Sequence, residues 1–152
     1  MQNRLAAVAI CWQDSEDILR RGTFLMSQNT GKPVKYVVDL HNMQRTPTIG
    51  AVSTGEGSSF NGDRIYCGLV HKKKGTGSRP HYHPDETFNY VLKGSLKVNM
   101  DGMSFTVPTG CLFHIPANMV HTAVAGDDGD ATYLVWRDRV GEKQGMPTTT
   151  EV

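Results

Sequence analysis

Two histidines separated by one residue, His81 and His83, stand just ahead of "TFNYVLKG", a run with the composition of a β-strand. Side chains two apart in a strand leave the same face, so these two imidazoles project together. Arg79 joins them if the strand begins that early. Neutral imidazoles converging from one face suit zinc, copper, nickel or iron. A metal inside a sheet protein then needs at least one ligand from a neighbouring strand. His114 and His121, in "CLFHIPANMVHTAV", are the candidates. Pro116 ends the first strand of that stretch because it has no N–H to give to a ladder. Asn118 tolerates a left-handed turn, after which a new strand carries His121. His114 reads better as a half-buried strand residue with its own hydrogen bond. The nearest carboxylate to the histidine pair is Glu86 in "HPDET", either a fourth metal ligand or a solvated turn acid.

The elements that must position these residues are mostly strands. "VKYVVDL", "RIYCGLV", "TFNYVLKG", "SLKVNM", "MSFTV", "CLFHI" and "ATYLVW" are short and rich in β-branched and aromatic residues, with Gly, Pro, Asn and Asp between them. Asp101-Gly102 supplies the positive φ of a tight hairpin. One short helix is signalled near the start: Asp14 and Ser15 can cap it, Glu16 and Asp17 suit its first turn, and Gly22 stops it. The expected organisation is an N-terminal arm with that helix over residues 1–33, an antiparallel all-β barrel over 34–140, and a flexible tail over 141–152.

A chain of 152 residues reads as one domain with a single core. Lys plus Arg number 16 against 15 for Asp plus Glu, so charge offers no case for nucleic acid or membrane binding. No apolar run is long enough to span a bilayer. The opening "MQNRLAAVAICW" resembles a stunted signal peptide without a small-residue cleavage site, and reads as mature protein. Cys11, Cys67 and Cys111 are odd in number and widely spaced, which suits neither a disulfide framework nor zinc. A reducing cytoplasm is the expected location.

With both histidine stretches in view, the chain resembles the cupin family. Gly75, five residues, and His81-Tyr82-His83 match the start of the family's first motif, which closes on Gly94. Gly110, five residues, Pro116-Ala117-Asn118, two residues and His121 match the second. The resemblance covers roughly residues 60–137. It implies a jelly-roll barrel, a double-stranded β-helix, with His81, His83 and His121 reaching one metal inside it. Asn118 stands for a family Gly and Ala125 for a family Asn. Thr87 stands where the family carries an acidic ligand. The register counted from Gly94 turns Thr87, Asn89 and Val91 inward and Glu86, Phe88 and Tyr90 outward; a bulge in "PDE" would bring Glu86 in. Three neutral imidazoles would leave a divalent ion its full charge and open positions for water, dioxygen or an anionic substrate.

The functional expectation is a non-haem, Fe(II)-type, dioxygenase-like enzyme acting on a small anionic oxygenated substrate. The alternatives are a redox-neutral metal-dependent lyase or isomerase, with Glu86, Tyr82 or Tyr90 as its base, and a non-catalytic small-molecule binder. One divalent ion is expected, iron first, with zinc, nickel, manganese or copper as substitutes. Arg79 is either a substrate clamp or a rim residue, and Asn89 a substrate contact or a hydrogen-bonded interior residue. "HKKKG" at 71–75 reads as a solvated loop, although three lysines at a barrel mouth would attract anions. A homodimer paired through sheet edges is the expected assembly.

Overall fold

Alternating apolar and polar residues in the strand runs bury one face of each, and two such sheets close over a shared core. The computed structural model describes residues 37–138 and 146–149, so the helix expected over 14–22 lies outside the described residues. The strands are β1 Thr46–Pro47, β2 Glu56–Asn61, β3 Ile65–Lys72, β4 His81–Tyr82, β5 Thr87–Lys93 and β6 Ser95–Met100. They continue with β7 Met103–Pro108, β8 Leu112–Ile115, β9 His121–Ala125, β10 Ala131–Asp138 and β11 Met146–Pro147. One sheet runs β1-β2-β3-β10-β5-β8 and the other β11-β4-β9-β6-β7. Each pairing is antiparallel. This is the antiparallel all-β jelly roll expected from the sequence.

The core lies between the two sheets. Val70 and Val91 from the first sheet meet Leu96 and Val98 from the second, and all four are at most 2% exposed. Burying each such side chain contributes about 1.5–3 kcal/mol. Thr87, Asn89 and Val91 are buried on β5 while Phe88 and Leu92 are exposed, as the period-two register requires. Gly94 ends that strand with φ +71, a conformation that costs an L side chain energy, and a Cβ there would sit 2.6 Å from the Asp130 carbonyl oxygen. The Asp101-Gly102 hairpin forms as expected, with φ of 55 and 68 at the two residues and Met100 paired to Met103.

Two strand assignments differ from expectation. Of "VKYVVDL", residues 37–39 carry no strand and Leu40 lies in a turn. "EGSSFN" at 56–61, poor in β-branched residues, is a strand because its backbone completes the ladder of β3. Within the stretch read as a tail, Met146–Pro147 pairs with Tyr82 and His81.

Candidate metal centre

The three histidines come together through strand pairing and one turn. His81 on β4 is directly opposite His121 on β9. His83 lies just past β4, and its carbonyl accepts the Asn118 N–H at 2.8 Å. Asn118 has φ 63, the left-handed conformation its type tolerates, so the turn leading to His121 is tied to His83. The ring centroids are 4.3 Å apart for His81 and His121, 5.0 Å for His83 and His121, and 6.0 Å for His81 and His83. One ring nitrogen from each lies within 4.8 Å of the others, and all three residues are at most 5% exposed.

Each ring is also fixed in tautomer. Nδ1 of His81 bonds the Arg79 carbonyl at 2.8 Å, Nδ1 of His83 the Asp85 carbonyl at 2.9 Å, and Nδ1 of His121 the Met119 carbonyl at 2.9 Å. A carbonyl oxygen only accepts, so each Nδ1 carries the hydrogen. A neutral ring then has a bare lone pair on Nε2. Burial pushes the His121 imidazolium down to about 3, with repulsion from His81 adding to it. Burial lowers His81 as well, partly opposed by the bond to Arg79. These two rings are therefore neutral at physiological pH, the form a metal requires. Behind His83, the fully buried Asp85 carboxylate has Oδ2 3.5 Å from Nδ1 and 3.4 Å from the Thr87 hydroxyl, which donates to it.

The histidines open onto a cavity of about 70 Å3 that Thr87, Asn89, Lys72, Tyr133 and Arg137 also line. Its apolar walls include Val70, Phe113 and Ile115. Asn89 is 4% exposed, and among the described residues its Nδ2 has no hydrogen-bond partner. The Arg137 guanidinium packs over the Tyr66 ring at 4.3 Å and lies 3.6 Å from Asp85 Oδ2.

Lys72 corrects the reading of "HKKKG" as a solvated loop. It is the last residue of β3 and follows Gly68 and Val70 on the inward face. Its Nζ donates to the Ala123 carbonyl at 2.7 Å and lies 5.4 Å from the Tyr133 ring centroid. Burial pushes its ammonium down to about 7. Lys73 and Lys74 remain in solvent.

Glu86 does not reach the cluster. It is exposed, and its Oε1 lies 2.8 Å from His114 Nε2 on the outer face, where His114 stacks on Phe88 at 4.9 Å. The "PDE" turn contains no bulge that would bring it inward; strand alternation places Thr87 inside and Glu86 outside. His114 is likewise outside the cavity. Arg79 is an exposed rim residue whose guanidinium donates to the Ala51 carbonyl at 2.7 Å. Tyr82 and Tyr90 are absent from the cavity wall. The sequence reading missed Lys72, Asp85 and Arg137. Period-two counting from Val70 and from Tyr133 would have found the first and last. Asp85 sits in a turn, where no periodicity applies.

Residues 68–137 match the family model described as a cupin domain. A curated protein named polyketide synthase CurC, from Streptomyces cyaneus, is 32% identical over 84 residues, or 55% of this chain and 47% of that protein. The chain thus spans about half the length of that relative. Among solved structures, the polyketide cyclase RemF from Streptomyces resistomycificus aligns with TM-score 0.65 at 18% identity, covering 78% of this chain and 89% of that one. An RmlC-like cupin from Shewanella frigidimarina aligns with TM-score 0.60 at 16% identity, covering 72% and 95%. The DMSP lyase DddQ from Ruegeria pomeroyi aligns with TM-score 0.59 at 18% identity, covering 72% and 62%. At these identities the structural likeness is one of fold.

Proposed function

We propose, because residues 68–137 match the cupin domain model and three buried histidines converge there, that the chain is a cupin and a metal-dependent enzyme for a small anionic oxygenated substrate, with His81, His83 and His121 as the ligands. The observation that carries this is the set of three Nδ1–H bonds to backbone carbonyls, which leaves three bare Nε2 atoms in one buried cluster. Such fixed tautomers are typical of ligating histidines. The donor set fits a divalent ion of the iron, nickel, copper or zinc type, and suits manganese less, since manganese prefers oxygen ligands. An ion held there would polarise a substrate carbonyl as a Lewis acid and, if it were iron, would also support dioxygen chemistry.

The chain's own residues supply the rest. Backbone carbonyls hold the rings, and the apolar walls limit water. Arg137 is paired with Asp85, so Lys72 is the wall group that makes the cavity electropositive, which favours an anion. A redox-neutral ring closure or elimination is our first reading of the reaction. It draws support from the names of a 32% identical relative and of the structural neighbours, a polyketide synthase, a polyketide cyclase and a lyase. A dioxygenase is the second, favoured because among the described residues the histidine cluster holds no carboxylate.

The test begins with metal analysis of protein purified without chelators. About one ion per chain in the wild type and near none in His81→Ala is the expected result. No metal in the wild type at neutral pH would overturn the proposal. Oxygen uptake and product analysis with β-dicarbonyl and catecholic acids then choose between the two reactions.

A further inference from the structure

Two polar groups on the cavity wall are left in an unfavourable state by the protein itself. Lys72 is 4% exposed, and among the described residues its ammonium has no carboxylate in ion-pair contact, only the Ala123 carbonyl and the Tyr133 ring. One hydrogen bond, to the Ala123 carbonyl two residues beyond His121, holds it across the interior. Asn89 is also 4% exposed, on β5 opposite Phe113 and Val135, and its Nδ2 has no partner among the described residues. An unmade buried amide bond costs about 1–3 kcal/mol, and an uncompensated buried charge costs more. Both residues line the same cavity as the three histidines. Both penalties are relieved by one kind of ligand, an anion that carries a further acceptor oxygen.

We propose that Lys72 and Asn89 form the subsite that reads the substrate. The Lys72 ammonium takes an anionic oxygen, a carboxylate or enolate. The Asn89 amide donates to a neutral carbonyl or hydroxyl oxygen of the same molecule. The class this selects is a compact oxo or hydroxy carboxylate, or its enolate, whose remaining oxygens face the imidazoles. Arg79, bonded to the Ala51 carbonyl on the rim, is not part of it. The subsite deepens the reading of the cavity as a metal-dependent site, and rests on that reading for its chemistry only. Its charge and donors belong to the chain, and so does its affinity for an anion.

The experiment titrates malonate, a stable β-dicarboxylate, against metal-free and zinc-loaded protein by calorimetry, with uncharged acetylacetone alongside. Malonate should bind both forms of the wild type more tightly than acetylacetone. Lys72→Met should weaken malonate about tenfold or more and erase the preference over acetylacetone, whereas Asn89→Leu should weaken both probes about three- to tenfold. Arg79→Met should change neither by more than about twofold. If a variant fails to fold, the Lys72 side-chain nitrogen resonance of the wild type, followed during the malonate titration, replaces it and should shift at saturation. Equal malonate affinity in wild type and Lys72→Met, an unmoved resonance, or no malonate binding in either form overturns the subsite. Failure of the wild type to take zinc would sink the metal reading and leave the metal-free titration to decide the subsite.

Discussion

Thr87 occupies the place on β5 where the cupin motif carries an acid, and its side chain is buried on the cavity wall. Thr87→Glu would put a carboxylate beside the imidazoles. It would also put it beside Asp85, whose Oδ2 is 3.4 Å from the present hydroxyl. Two buried carboxylates repel, so the metal-free variant should lose about 1–3 kcal/mol of stability. A divalent ion would neutralise the added charge, and its affinity, measured by chelator competition, should rise about 10–100-fold. Unchanged affinity would mean that position 87 does not reach the ion. Glu86→Gln is the control. It weakens a solvent-exposed pair with His114, so metal affinity should stay within error and stability within about 0.5 kcal/mol. These neighbours in sequence thus make opposite predictions, because a strand sends them to opposite faces.

Strand periodicity accounts for most of what the sequence alone makes legible. The motif spacing counted back from Gly94 gives the inward set on β5, and the two-residue spacing puts His81 and His83 on one face, while His121 joins them through the family resemblance. Lys72 was hidden by composition: three consecutive lysines look like a loop, although the first continues the Gly68 and Val70 alternation. Glu56–Asn61 was illegible for a different reason. Its Gly and Ser residues have little strand preference, and the pairing with β3 overrides that. Gly94 itself can be tested as the hinge of the register. Its φ of +71 and the Asp130 carbonyl 2.6 Å from a would-be Cβ both oppose a side chain. Gly94→Ala should cost about 2–4 kcal/mol in urea denaturation, more than the ~1 kcal/mol expected where only φ is strained. Gly75→Ala provides that comparison, with φ +69 and nothing within 4 Å. Equal losses in the two variants would show that the Asp130 backbone, just ahead of β10, gives way freely.

At the scale of the whole molecule, the barrel trades stability for an electropositive interior. Below about pH 7 Lys72 holds its charge inside the core, and the folded state bears the cost. Its ammonium has a folded value of about 7 against 10.5 in a model chain. Between those values the unfolded chain keeps a proton that the folded protein has released, so stability rises with pH through that window. Below pH 7 both states carry the proton and the penalty is constant. Lys72→Met removes the group and its titration together. The metal-free variant should therefore be more stable than wild type, by about 2–4 kcal/mol at and below pH 7. The advantage should shrink steadily as pH rises towards 10. Above that, the Tyr133 phenol, which burial holds above its usual range, pulls stability the other way in both proteins. Urea denaturation of the pair at several pH values from 6.5 to 9.5 tests this, since every other titrating group largely cancels in the difference. An advantage that stays flat across the window would mean that Lys72 releases no proton on folding and that its ammonium is solvated. A wild type more stable than the variant at pH 7 would mean that the lysine already has a partner in the barrel.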